Sequence, residues 1–146
     1  MTLEYTRIIA SKYDGQDFQQ SQIVDVTGSS NSTITLTIPP GYYFYLTHYG
    51  GNVPAANIQI TVRNRENQSL ISFTQFPDFF QMFEYLTFIK QGFKDNVNAF
   101  IENDNNTTKT VTFLIKGLLI PEGKRLDFEK EVCDIINIPK ILRGAM

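Results

Sequence analysis

Ser32-Thr33-Ile34-Thr35-Leu36-Thr37-Ile38 sets Ile34, Leu36 and Ile38 in strict alternation with Thr33, Thr35 and Thr37. Successive side chains of a strand point to opposite faces, so this period of two predicts a strand with one buried and one wet face. Gly28-Ser29-Ser30-Asn31 and Pro39-Pro40-Gly41 bound it with turn chemistry.

The same reading extends to both sides. Strands are predicted over Glu4 to Ser11, Gln19 to Thr27, Ser32 to Ile38, Tyr42 to Tyr49, Asn57 to Asn64, Ser69 to Phe76, Val97 to Glu102 and Thr108 to Leu118. Arg65-Glu66-Asn67 closes one expected hairpin, and Asn103-Asp104-Asn105-Asn106 a second. Short strands at regular spacing indicate an all-β, antiparallel, eight-stranded sandwich. Alternation alone does not separate a jelly-roll order from an immunoglobulin-like one. Two segments break the rhythm. Pro77 to Phe93 is dense in aromatics and fits a helical face or a strand, so it stays open between them. Leu126, Glu129, Val132, Cys133 and Ile136 recur at helical spacing before Pro139, which predicts a short C-terminal helix. Residues 1–121 therefore read as the sandwich, and 122–146 as an appended helix and tail.

Composition narrows the function classes. The chain has 146 residues, one domain's length, and a net charge of −2 with acids and bases intermixed. No basic stripe offers a footprint for phosphates, so no nucleic-acid partner is expected. No apolar run reaches the roughly 20 residues needed to span a bilayer. The N-terminus Met1-Thr2-Leu3-Glu4-Tyr5 has neither a basic nor an apolar leader region, so no cleaved signal is expected. On that expectation the triplets at Asn31, Asn67 and Asn106 read as turn asparagines, not glycosylation sites.

The inventory of reactive groups is thin. His48 is the only histidine, which excludes a multi-histidine metal site and leaves one base for any triad. Cys133 is the only cysteine; Glu131 and Asp134 beside it would raise a thiol pKa, and a helical apolar role is expected. No Gly-x-Ser-x-Gly elbow and no glycine-rich phosphate loop is present. Asp78 and Glu84 are the best carboxylate pair for sugar cleavage, although the chain has no Trp platform. Asn103 to Asn106 carries oxygen ligands of the kind calcium takes, but lacks the loop length, glycine and distal Glu of an EF-hand. Neither cofactor nor metal is expected, and the chain reads as a non-enzyme. Tyr43 and Tyr45 share one strand face with Thr47, while Tyr42, Phe44, Leu46 and His48 share the other. That tyrosine face is either a contact surface or a set of hydroxyls reaching the edge of the core.

The strand set, the Ile38-Pro39-Pro40-Gly41-Tyr42-Tyr43-Phe44-Tyr45 step and the closing run Val111 to Pro121 resemble single jelly-roll virion proteins of bacteriophages. The resemblance covers roughly residues 19–121. It implies a jelly-roll order and a capsid, vertex or decoration subunit. Synthesis in the host cytoplasm would be followed by self-association and assembly with other virion proteins. Contact residues expected on this reading are Phe128, Val132, Ile136, Ile141 and Leu142 in the tail, with Tyr43 and Tyr45. The tail lies on a neighbouring subunit or back on its own sheet. The competing reading is a carbohydrate- or ligand-binding sandwich using Tyr42, Tyr43, Tyr45 and Tyr49.

Overall fold

The computed structural model describes residues 3–52, 56–64, 69–74, 80–84, 92–132 and 134. The fold is mostly antiparallel β-sheet with a short C-terminal helix. Along the chain come α1 (Leu3–Lys12), β1 (Gln16–Val26), β2 (Ser30–Thr37), β3 (Tyr42–Asn52), β4 (Ile58–Arg63), β5 (Ser69–Thr74), β6 (Phe80–Glu84), β7 (Asn96–Asn103) and β8 (Lys109–Pro121). A 3-10 turn, Glu122–Lys124, leads into α2, helical over residues 125–132. Strands β1-β8-β3 form the body of one sheet and β2-β7-β4 the body of the other; β6 and β5 extend them beyond β3 and β4. Every pairing is antiparallel.

The alternation in β2 does what its sequence demands. Ile34, Leu36 and Ile38 are buried, while Thr33, Thr35 and Thr37 face solvent. The inter-sheet core joins them to Phe44, Leu46, Ile58, Ile60, Val62, Val97, Ala99, Ile101, Val111, Phe113 and Ile115. Fully burying one such aliphatic or aromatic side chain contributes about 1.5–3 kcal/mol.

The first predicted strand is corrected. Glu4 to Ser11 lies within α1, and the reason is tertiary. Thr6, Ile9 and Ala10 are buried and Tyr13 half-buried, at i, i+3, i+4 and i+7. That one-sided stripe packs on the outer face of the β8 sheet, which rewards helix over the strand preference of its β-branched residues. The end of α1 is a Schellman turn. Gly15 N–H donates to Ala10 O at 2.8 Å, and Asp14 takes the left-handed conformation at φ 58°. Gly15 also leaves room that a side chain would fill: a Cβ would lie 2.7 Å from Ile120 Cδ1.

The tail helix forms where its spacing predicted, with a different buried face. Phe128 and Val132 point inward, and Leu126, which the helical spacing groups with Val132, is 67% exposed. Part of the Phe-rich stretch resolves into β6, paired with β3 from His48↔Glu84 to Asn52↔Phe80. The remainder, 77–79 and 85–91, lies outside the described residues. So do Ile136, Ile141 and Leu142.

Helices α1 and α2 lie together on the outer face of β3 and β8. Ile9, Ala10, Tyr45, Leu118, Ile120, Phe128 and Val132 form this second, smaller core. The molecule therefore has three layers: a pair of helices, a sheet, and a second sheet.

Candidate functional site

The tyrosine strand β3 is the most chemically loaded element, and it sits between both cores. Phe44 and Leu46 enter the space between the sheets, while Tyr45 turns out toward the helices. Opposite β8 the register runs evenly to Leu46↔Gly117 and then shifts, so that His48 pairs with Lys116 and Thr47 is the extra residue of a bulge. The bulge reverses the parity. Tyr49, which strict alternation places with Tyr43 and Tyr45, instead faces the inter-sheet core. The Thr47 hydroxyl donates to Lys116 O at 3.1 Å and lies 2.9 Å from His48 Nδ1. With its one proton committed to the carbonyl, Thr47 accepts from Nδ1–H, which fixes the imidazole tautomer. Gly117 makes the bulge possible: a Cβ there would lie 2.0 Å from Tyr45 O.

Tyr45 is fully buried beneath α2, its ring 5.0 Å from that of Phe128. Its hydroxyl donates to Glu129 Oε1 at 2.6 Å. Burial pushes this phenol well above the ordinary tyrosine range, and the Glu129 carboxylate pushes it further. Arg125 lies 3.5 Å from the same carboxylate oxygen and stacks over the Tyr43 ring at 4.3 Å. Lys94 lies 5.9 Å from that ring centroid and pairs with Glu122 at 2.7 Å, which raises the lysine pKa. On the α1 side, Tyr13 packs edge-on against Phe128 and donates to Glu131 Oε1 at 3.2 Å. Burial comes first among the causes that raise its hydroxyl pKa, followed by the Glu131 hydrogen bond. Lys12 reaches Glu131 at 3.4 Å, and Lys124 pairs with Asp14. These groups form a seam in which polar tips fasten the helices to β3 and to each other.

The asparagine-rich turn is a second fastening. Asn103 is fully buried; its Nδ2 donates to Val26 O at 2.9 Å and Thr107 O at 3.1 Å. Its Oδ1 accepts from Asn105 N–H at 2.9 Å and Asn105 Nδ2 at 3.0 Å. Asn105 Nδ2 also donates to Ala56 O at 2.7 Å. The Asn103 side-chain oxygen is thus occupied by Asn105, while the amide nitrogens of Asn103 and Asn105 tie three loops together at one end of the sandwich. No group of three or more His, Cys, Asp or Glu among the described residues is placed to hold a metal ion.

The expected contact residues fall in different places. Phe128, Val132 and Tyr45 come together, but inside the chain: the tail's described part packs back on its own sheet, and these three are buried there. Tyr43 is half-buried at the rim of that cluster. A sugar platform on the tyrosines meets the same obstacle, since Tyr45 and Tyr49 are buried and the Tyr43 ring carries Arg125. Asp78 lies outside the described residues; Glu84 ends β6, and its side chain is also outside them. No helix among the described residues is long and apolar enough to cross a membrane. In the sequence Glu129 stands out only for its helical spacing and Glu131 only as a neighbour of Cys133, not for their place in the seam. The signal available was the spacing of Arg125, Glu129 and Glu131 on the predicted helix.

No protein-family model matches the chain, and no curated protein matches it. Among solved structures, Bacillus endospore appendages, a family of disulfide-linked pili, align with a TM-score of 0.43 at 10% identity, over 73% of this chain and 89% of that one. The capsular polysaccharide assembling protein CapF from Staphylococcus aureus aligns with a TM-score of 0.33 at 14% identity, over 66% of this chain. The chain spans only 24% of the length of CapF. Neither likeness carries an argument about function.

Proposed function

We propose that this chain is a non-enzymatic structural subunit that works by self-association, built on a jelly roll and serving as a virion component. The observation that carries the reading is where the polar chemistry goes. Asn103 and Asn105 together fasten three loops, Tyr45 and Glu129 fasten α2 to β3, and Thr47 holds the bulge. Groups that an enzyme would aim into a cleft are spent on rigidity. The pairings support the jelly roll: β1 with β8, β2 with β7, β3 with β6 and β4 with β5 make one long hairpin rolled into two sheets. That order is common in capsid proteins, and fold alone does not fix function.

The test is a molar mass in solution by light scattering on the full chain. The expected result is a multiple of 16.7 kDa that falls on dilution. A strictly monomeric chain at 100 μM, about a hundred times a micromolar Kd, overturns the self-association reading. Mass spectrometry of purified particles tests the virion role separately.

A further inference from the structure

One flank of the sandwich ends, among the described residues, in two edge strands. In the first sheet β1 is terminal and pairs with β8; in the second, β2 is terminal and pairs with β7. Natural proteins guard such edges with lysines, prolines, bulges or short strands, because unpaired N–H and C=O groups template another strand. β1 has none of these guards over its middle. It runs 11 residues in unbroken register against β8, and Phe18-Gln19-Gln20-Ser21-Gln22-Ile23-Val24 contains no charge, proline or glycine. Ile23 is 66% exposed on its outer face. β2, Ser30–Thr37, is also free of charge.

We infer that β1 is the docking edge for a second copy of this chain, pairing antiparallel with the second copy's β1 about a two-fold axis through Gln22. This rests on the self-association reading above. A strand laid antiparallel on its own copy is self-complementary, and two-fold dimers are the commonest closed assembly. Charge selects the register. Centring the axis on Ser21 sets Asp17 against the second copy's Asp25 twice, and like charges directly opposite destabilise a sheet. Centring it on Gln20 sets Asp17 against exposed Ile23. Centring it on Gln22 sets Gln19 opposite Asp25, Ser21 opposite Ile23, Gln20 opposite Val24 and Phe18 opposite Val26. The inward face then pairs apolar with apolar at Phe18 and Val26, both already at the inter-sheet core. The same rotation brings the uncharged β2 toward its copy.

The experiment uses the full chain and reads the dimer constant by sedimentation or light scattering. Gln19 is exposed, so its variants keep the monomer fold, checked by circular dichroism. Gln19→Asp places a carboxylate opposite Asp25 twice per dimer and weakens dimerisation by roughly two- to thirtyfold; Gln19→Lys strengthens it by a similar factor. In a Cys133→Ser background, Gln22→Cys forms an intermolecular disulfide under mild oxidation and Gln20→Cys does not. A chain that self-associates but shows no change, or the opposite signs, overturns the β1 edge and leaves the assembly reading standing. Dissociation by Leu126→Lys, on exposed α2 surface, moves the interface to the helices and also overturns it. A monomeric wild-type chain, as when residues 135–146 cover β1 in cis, overturns both.

Discussion

Tyr45 shows how a single hydroxyl ties sequence to assembly of the layers. Removing it as Tyr45→Phe keeps the ring on Phe128 but leaves the Glu129 carboxylate with Arg125 alone. The expected loss is about 1–2 kcal/mol, read from urea unfolding at pH 7. Its pH dependence has a defined sign. The native hydroxyl is harder to ionise than in the unfolded chain, where the pKa is about 10. The stability it contributes is therefore present below pH 10 and shrinks as pH rises above it, so the gap between wild type and Tyr45→Phe narrows in alkali. Gly117→Ala is the steric counterpart. Its Cβ would sit 2.0 Å from Tyr45 O, forcing β3 from β8 at the bulge. A loss of about 3 kcal/mol or more is expected, measured by the same unfolding curve. Neither role was legible in the sequence. Period-two counting cannot register an inserted residue, so the bulge at Thr47 that turns Tyr49 to the inter-sheet core leaves no trace in it, and Gly117 inside an apolar run carries no mark of what approaches it.

Among the elements, legibility followed the number of buried faces. β2 and β7 each show one face to water, and their alternation of Thr or Asn with aliphatics was readable. β8 is covered on both faces and reads as a continuous apolar run from Phe113 to Ile120, broken by Lys116 and Gly117, which still marks a strand. α1 was misread because Thr6, Ile8 and Ile9 favour strands, and only the apolar surface of Leu118 and Ile120 beneath it selects the helix. α2 was found by its spacing, though its inward face is set by where Tyr45 waits for Phe128. Deleting residues 122–146 removes that cover and exposes Tyr45, Leu118 and Ile120. The truncated protein is expected to bind a dye such as ANS and to unfold at lower urea; an unchanged midpoint would show that α2 contributes nothing to the sheet beneath it.

At the scale of the molecule, the two sheets and the two helices pair segments from opposite ends of the chain. Gln16 lies beside Leu119, Ser30 beside Asn103, and Tyr13 against Phe128. The general class, a sandwich with a helical appendage, was readable because it depends on alternation and turn residues alone. The layering was not, since nothing local records that α1 and α2 meet. The nested pairings also order events in time. Among the hydrogen-bonded pairs only β4 and β5 are consecutive in the chain; β3 with β6, β2 with β7 and β1 with β8 each close a longer loop than the last. Loop closure costs more entropy as separation grows, so folding is expected to zip outward from β4–β5. Kinetic φ-values should then be high at Val62 and near zero at Val24. The final event is the docking of β1, so the strand that completes the sheet is also the one that spends longest exposed during folding, which makes its uncharged middle the point where chaperone capture and misassembly compete.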